Sequence, residues 1–224
     1  MLEYLLGRLE DLSSIDGVYL ITNNRFAGHF ENWAAGLRYP WPIEVVDDGT
    51  RSNETRLGAI GDLGFALRRF KIRDDLAVFA GDNLFGSPLD GFIKFACSHR
   101  PHASIGVVEV GDRERARSFG IVRLEEEGRV IQFLEKPKNP PSTLASTGAY
   151  WFAREGLELL DRYLGEGHNA DRPGDYIAWL VQVDRVFAYP FEGRWFDIGS
   201  LDSYREADRY FHSLKEKGKK QGKP

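Results

Sequence analysis

The strongest constraint in this sequence is an alternation. Three short apolar runs, Gly17–Thr22, Ile43–Val46 and Leu76–Ala80, are separated by segments whose apolar residues fall at helical spacing. Each run is too short for a helix and ends in polar or turn residues: Asn23-Asn24, Asp47-Asp48 and Gly81-Asp82-Asn83. Continuously apolar strands belong in a sheet covered on both faces. Strands alternating with helices imply right-handed crossovers and a mostly parallel sheet. Helices are read over Leu2–Leu12, from the stripe Leu2, Leu5, Leu6, Leu9 and Leu12, around Phe26, Phe30 and Trp33, and over Gly58–Phe70.

Past residue 100 the texture changes. Ala103–Val110, Phe119–Leu124, Arg129–Leu134 and Ala145–Phe152 read as strands joined by turns, with a tight hairpin at Gly128. Helices follow at Glu155–Leu164 and near Asp175–Val181, then a strand at Val186–Tyr189 and a last helix capped by Ser200. The fold class is therefore α/β: a Rossmann-like, mostly parallel sheet flanked by helices, with an added antiparallel subsheet. At 224 residues the chain suits one domain, read over residues 1–217, and residues 218–224 read as a flexible Lys-rich tail.

The net charge of −4 argues against a nucleic-acid surface, and no apolar run approaches the ~18 residues of a membrane span. No signal peptide opens the chain, so a cytoplasmic setting without membrane partners is expected. Cys97 is the single cysteine, which excludes an internal disulfide and a Cys-based metal site. Its setting, Phe92 to Cys97, reads as the apolar side of a helix and an inert core thiol.

Ligands of an open parallel sheet bind beyond the carboxyl ends of its strands. Asp82 follows five apolar residues and lands there, either as part of a strand-ending turn or as an oxygen ligand for a divalent cation. Asp197, between Phe196 and Ile198 and just before a helix, needs a partner as a carboxylate among bulky apolar neighbours. It either caps that helix or joins Asp82 on one metal ion. Gly58 and Gly61 at a helix start permit close backbone approach, to a flat ligand or to a packed helix. Glu135 and Lys136 end a strand side by side, so both face one pocket only if the chain turns at Pro137. Ser146, Thr147 and Gly148 place hydroxyls and a close-approach point inside a strand.

Taken in order, these segments resemble the nucleoside-diphosphate-sugar pyrophosphorylase family, the sugar-phosphate nucleotidyltransferases, from the Leu2–Leu12 helix to Tyr204–Ala207. The resemblance implies that Gly58, in Leu57–Leu63, contacts the base. It implies that Asp82 of Gly81-Asp82-Asn83 and Asp197 of Trp195–Gly199 hold Mg²⁺. It places Asn83, Gly120, Glu135, Lys136, Thr147 and Gly148 at the substrates, with Lys136 as counter-charge to the sugar phosphate and Lys136 and Asp82 as the catalytic pair. The implied reaction joins a nucleoside triphosphate and a sugar 1-phosphate, with pyrophosphate leaving. The family pattern opens with a strand and a Gly-Gly-x-Gly-Thr-Arg triphosphate loop that have no counterpart here. By resemblance that strand lies between Val18–Thr22 and Leu76–Ala80, and an incomplete sequence is expected in preference to an evolved loopless enzyme, since losing a central strand strands backbone groups. Two other readings stand beside this one: a noncatalytic binding or regulatory subunit on the same fold, and transfer to phosphocholine with Asp171, Asp175, Tyr176 and Trp179 serving the acceptor. Base, sugar and oligomeric state, a homo-oligomer included, stay open.

Overall fold

The computed structural model describes residues 1–10, 12 and 14–221, with side chains through residue 214. Its first half builds the expected crossovers. Helix α1 (Leu2–Leu9) buries Leu5, Leu6 and Leu9 and stops short of Leu12, which instead follows in a turn closed by its amide on Leu9 O at 3.0 Å. Strands β1 (Val18–Thr22) and β2 (Ile43–Asp47), linked through α2 (Asn24–Ala35), pair in parallel from Val18–Ile43 to Thr22–Asp47. Helix α3 (Ala59–Phe70) then leads to β3 (Leu76–Phe79).

The second half supplies the other strands. β3 pairs antiparallel with β8 (Leu144–Phe152), β8 pairs antiparallel with β5 (Ala103–Glu109), and β5 pairs parallel with β9 (Val186–Pro190). Thus β3, β5 and β9 run in one direction and β8 runs against them. The hairpin of β6 (Gly120–Leu124) and β7 (Val130–Glu135) joins β8 through Ile121 and Ala145, giving the antiparallel subsheet. One short ladder was not legible in the sequence: β4 (Asn83–Phe85) pairs antiparallel with β10 (Trp195–Asp197).

Helices close both faces. α1, α4 (Asp90–Ser98) and α8 (Leu201–Gln221) enclose a core that includes Leu6, Phe92, Ile93, Trp195, Phe196 and Phe211. α3, α6 (Leu157–Gly165) and α7 (Pro173–Val183) enclose a second around Leu67, Ile105, Val107, Tyr163, Ile177 and Leu180. α5 (Arg113–Ala116) is a single turn whose Asp112 accepts a capping bond from the Glu114 amide. Ser200 caps α8 as expected: the Ser203 amide donates to Ser200 Oγ at 3.2 Å, and the Ser200 amide donates to Ser203 Oγ at 3.1 Å. α8 is continuous through Gln221, and residues 222–224 of the expected tail lie outside the described residues.

Two features depart from a simple doubly wound sheet. Among the described residues no ladder joins β1 to β3, although Val18, Ala77 and Phe79 all pack on the core that α1 covers. All four residues of β3, with Val18, Leu20 and Ile21 of β1, are half-buried, where continuous apolar strands ordinarily lie fully covered. Cys97 also departs from expectation. Helix α4 buries Phe92, Ile93 and Ala96, and one further residue of rotation turns Cys97 to solvent. The thiol is exposed and is no part of the core.

Candidate active site

The site forms where β3 ends, because Gly81-Asp82 turns the chain into β4 and β4 is held by β10. In that ladder Asn83 stands opposite Asp197, and the Ile198 amide donates to Asp82 O at 2.9 Å. The side chains then interlock. Trp195 Nε1 donates to Asn83 Oδ1 at 2.7 Å, and Asn83 Nδ2 donates to Asp82 Oδ1 at 2.7 Å. Asn83 is 6% exposed, and its amide orients Asp82 through Nδ2 and anchors Trp195 through Oδ1. Asp197 does not cap α8, since Ser200 does. Instead its carboxyl lies close enough to Asp82 for the two charges to interact.

Two neighbouring carboxylates repel, and the Asp197 carboxyl shows it. Burial pushes it above the usual range and Asp82 adds to that, while Lys136 and Arg115 pull the other way. Among the described residues there is no cluster of three or more acidic, His or Cys side chains, so Asp82 and Asp197 are a pair. A pair is what magnesium ordinarily takes from a protein, leaving its other positions to water and phosphates. The donor set therefore fits Mg²⁺.

Beside this pair lies a cavity of about 170 Å³. Its walls include Asn83, Gly120, Glu135, Lys136, Thr147, Gly148 and Asp197, seven positions read from the sequence as one site. Glu135 and Lys136 both face it because Lys136 adopts a left-handed conformation, φ +45°, at the end of β7. The reversal thus occurs one residue before Pro137. Burial raises the Glu135 carboxyl and Lys136 opposes the shift. Room for that carboxylate comes from Gly120 and Gly174: a Cβ would sit 3.2 Å and 2.0 Å from Glu135 Oε2 respectively. At Gly148, φ +70°, the Ala80 amide donates to its carbonyl at 2.9 Å, bringing the end of β3 against the cavity.

Three readings change in detail. Thr147 is fully buried and its hydroxyl donates to Gly106 O at 3.0 Å, so it meets the cavity through its backbone while its side chain ties β8 to β5. Thr147→Val is accordingly expected to cost about 1 kcal/mol in denaturant unfolding, with little change in ligand affinity. Ser146, adjacent on the strand, lines the cavity with its buried hydroxyl set against that of Tyr150. Ser146, Tyr150, Gly174 and Trp195 are further lining residues that sequence reasoning missed or left unassigned; the β-strand period of two would have paired Ser146 with Gly148 and Tyr150 on one face.

Gly58 is not in this lining. It precedes α3 with φ +81° and ψ 160°, and the chain at Ala170–Asp171 lies across it. The Ile60 amide donates to Ala170 O at 2.9 Å, and the Ala59 amide to Asp171 O at 3.4 Å. The close approach that this glycine permits is taken by protein backbone. The four residues considered for a choline-type acceptor are also occupied: Tyr176 is 1% exposed, Asp171 pairs with Arg56, Asp175 accepts from Asn169, and Trp179 lies under Arg162.

One more acidic pair lies at the ends of β2 and α3. Burial and the neighbouring Asp48 push Asp62 up to about 6. The raised value means that protonation stabilises the fold. That stabilisation is complete below the ordinary aspartate range and is lost as pH rises through about 6. Asp62→Asn should therefore raise stability at pH 7 by about 1 kcal/mol, discounted for its half-exposed setting, and flatten the melting temperature between pH 4 and 7. Thermal unfolding at several pH values checks this.

The chain as a whole is similar to known proteins. The family model described as Nucleotidyl transferase matches residues 1–213. Glucose-1-phosphate adenylyltransferase of Fervidobacterium nodosum is 34% identical over 206 residues, covering 86% of this chain and 49% of that protein. The enzyme of that name from Thermosipho africanus is 29% identical, covering 86% and 50%. The chain thus spans about half the length of the curated relatives it matches. A solved structure of a putative glucose-1-phosphate thymidylyltransferase from Bacillus anthracis superposes with a TM-score of 0.71 at 20% identity, covering 93% of this chain and 81% of that one, and so shares the fold. No helix among the described residues is long and apolar enough to cross a membrane. With the family model running over nearly its whole length, the chain belongs to the nucleotidyl transferase family.

Proposed function

We propose that this chain transfers a nucleoside monophosphate from a nucleoside triphosphate to a sugar 1-phosphate, in the cytoplasm, with release of pyrophosphate. The observation that carries the reading is the convergence of Glu135, Lys136, Gly148 and Asp197, from three separate segments, on one cavity beside Asp82. Lys136 supplies a fixed positive charge for the sugar phosphate. Glu135, with its carboxyl at the N-terminal turn of α7, accepts hydrogen bonds from sugar hydroxyls, and Ser146 Oγ and Tyr150 offer donors on the same wall. Mg²⁺, held by Asp82 and Asp197, supplies charge neutralisation at the reacting phosphates. An oxygen of the sugar 1-phosphate bonds to the α-phosphorus, and the bond to the bridging oxygen of the β-phosphate breaks. The attacking oxygen is already ionised near pH 7, so the side chains serve position and charge, with no general base needed.

The relatives are adenylyltransferases by name, which makes ATP and glucose 1-phosphate the first pair to try, and the fold neighbour makes dTTP the second. The experiment is to supply Mg²⁺, glucose 1-phosphate and each nucleoside triphosphate in turn, and to measure pyrophosphate. Release that needs both substrates supports the reading. Binding of glucose 1-phosphate with no release from any triphosphate supports a noncatalytic sugar-phosphate-binding subunit instead. Neither binding nor release would sink both.

A further inference from the structure

A larger concavity lies away from this site. A cleft of about 610 Å³ opens between the C-terminal end of α3 and the 3-10 turn Arg154–Gly156 that leads into α6. Four cations line it: Arg68, Lys71, Arg73 and Arg154. Three acids share the lining, and two of them are already matched. Glu155 receives two bonds from Arg100 Nη2, at 2.9 and 3.1 Å, and Asp161 pairs with Arg68 at 3.4 Å. Lys71 and Arg73 have no ion pair among the described residues, and Arg154 reaches only the shared Glu155, at 3.4 Å. Three cations thus face the space against one unmatched acid, Glu158. The wall that carries Arg154 is braced: its amide donates to Asp75 Oδ1 at 3.0 Å, and Arg100 holds Asp75 at 2.7 Å. Leu67, Ile72 and Leu157 form an apolar floor. Helix α6 opens on Gly156, which has no side chain to cap it, and its positive end offsets the negative end that α3 turns to the same cleft, leaving the cations to set the preference for an anion.

We propose that this cleft binds a compact phosphate-bearing molecule, with the phosphate held by Lys71, Arg73 and Arg154 and a carbon body lying on Leu67, Ile72 and Leu157. The cleft walls also lead to a second place. α3 and α6 pack tightly at Gly64, where a Cβ would lie 2.5 Å from Leu164 Cδ1. Beyond that contact, the far end of α3 is capped by Ala170 and Asp171, in the loop that follows α6, directly over Gly58. Filling the cleft spreads one end of a helix pair whose other end covers Gly58, so occupancy is transmitted there. The inference does not depend on the reaction proposed above.

The test is an amide NMR titration of the full chain with phenyl phosphate and, separately, with inorganic phosphate at constant ionic strength. Expected are saturable shifts of the Lys71 and Arg154 amides, a Gly58 shift on the same curve, and affinity about fivefold higher for phenyl phosphate because its ring meets the apolar floor. Lys71→Asn combined with Arg73→Gln should weaken binding about tenfold, and Glu158→Gln should tighten it. Asparagine is chosen because Lys71 sits at φ +52°, which it tolerates, and both side chains are exposed. Melting curves verify that the variants fold. Absence of saturable shifts, or equal affinity in the double variant, overturns the site. Equal affinity for inorganic phosphate reduces it to a free-phosphate site and overturns the carbon-body contact, and a stationary Gly58 overturns the transmission.

Discussion

Asp197→Asn is expected to lower Mg²⁺-dependent pyrophosphate release by at least about 100-fold, because charge neutralisation at the phosphates is the chief service such a site can give. The substitution keeps the shape of the side chain. It leaves the β4–β10 ladder intact, since that ladder is made by backbone groups at Trp195, Phe196 and Asp197. It also removes the repulsion from Asp82 that helps to raise the Asp197 carboxyl. The variant should therefore melt no lower than the parent while losing turnover, a combination that a merely structural aspartate would not give. Trp195 offers a readout independent of turnover, because its ring is bonded to Asn83 and through it to Asp82. Mg²⁺ should change the tryptophan fluorescence of the parent and leave that of Asp197→Asn unchanged. Full turnover in the variant would remove Asp197 from the site.

Gly58→Ala is expected to destabilise the fold by about 3 kcal/mol or more, through two costs that add. Its φ of +81° and ψ of 160° fall in a region open essentially to glycine alone. A Cβ there would also meet Asp171 Cα at 2.5 Å and Ala170 O at 2.6 Å, which are backbone atoms and cannot step aside cheaply. Relief requires lifting the Ala170–Asp171 loop, and that breaks the bonds from the Ala59 and Ile60 amides and leaves the first turn of α3 uncapped. For a chain of 224 residues this corresponds to a fall of roughly 6–12 °C in melting temperature. Gly61→Ala is the control, because its φ is not positive, its nearest neighbour, Leu57 Cβ at 3.1 Å, has to give by only a few tenths of an ångström, and alanine favours the helix. Calorimetry of the two variants decides whether Gly58 is held by this packing: equal melting temperatures would contradict it.

Most of the strands were legible because their residues announce burial locally. Leu76–Phe79 and Ala103–Glu109 are apolar runs closed by turn residues, and β6–β7 is flagged by Gly128. β4 and β10 were not, since three residues carry no period and their pairing spans more than a hundred positions of sequence. That omission hid why Asp82 and Asp197 approach each other, although Asp82 at a strand end and Asp197 just before a helix already allowed a shared ion. Cys97 was misplaced because an apolar stretch was read as one face, when the buried positions Phe92, Ile93 and Ala96 leave the next residue outside. The convergence of Glu135 and Lys136 depends on a left-handed lysine, a conformation that no residue type at that position signals. At Gly58 the need for close approach was legible, but its occupant was not, because the Ala170–Asp171 loop is contributed from far along the chain.

A sugar 1-phosphate pocket on Glu135 and Lys136 is tested most directly by calorimetric titration of glucose 1-phosphate, with Mg²⁺ present, into the parent and into Lys136→Gln. Saturable one-to-one binding that weakens about tenfold in Lys136→Gln, with the melting temperature unchanged, is the predicted result. Binding of equal strength in the two proteins, or none in the parent, would contradict it.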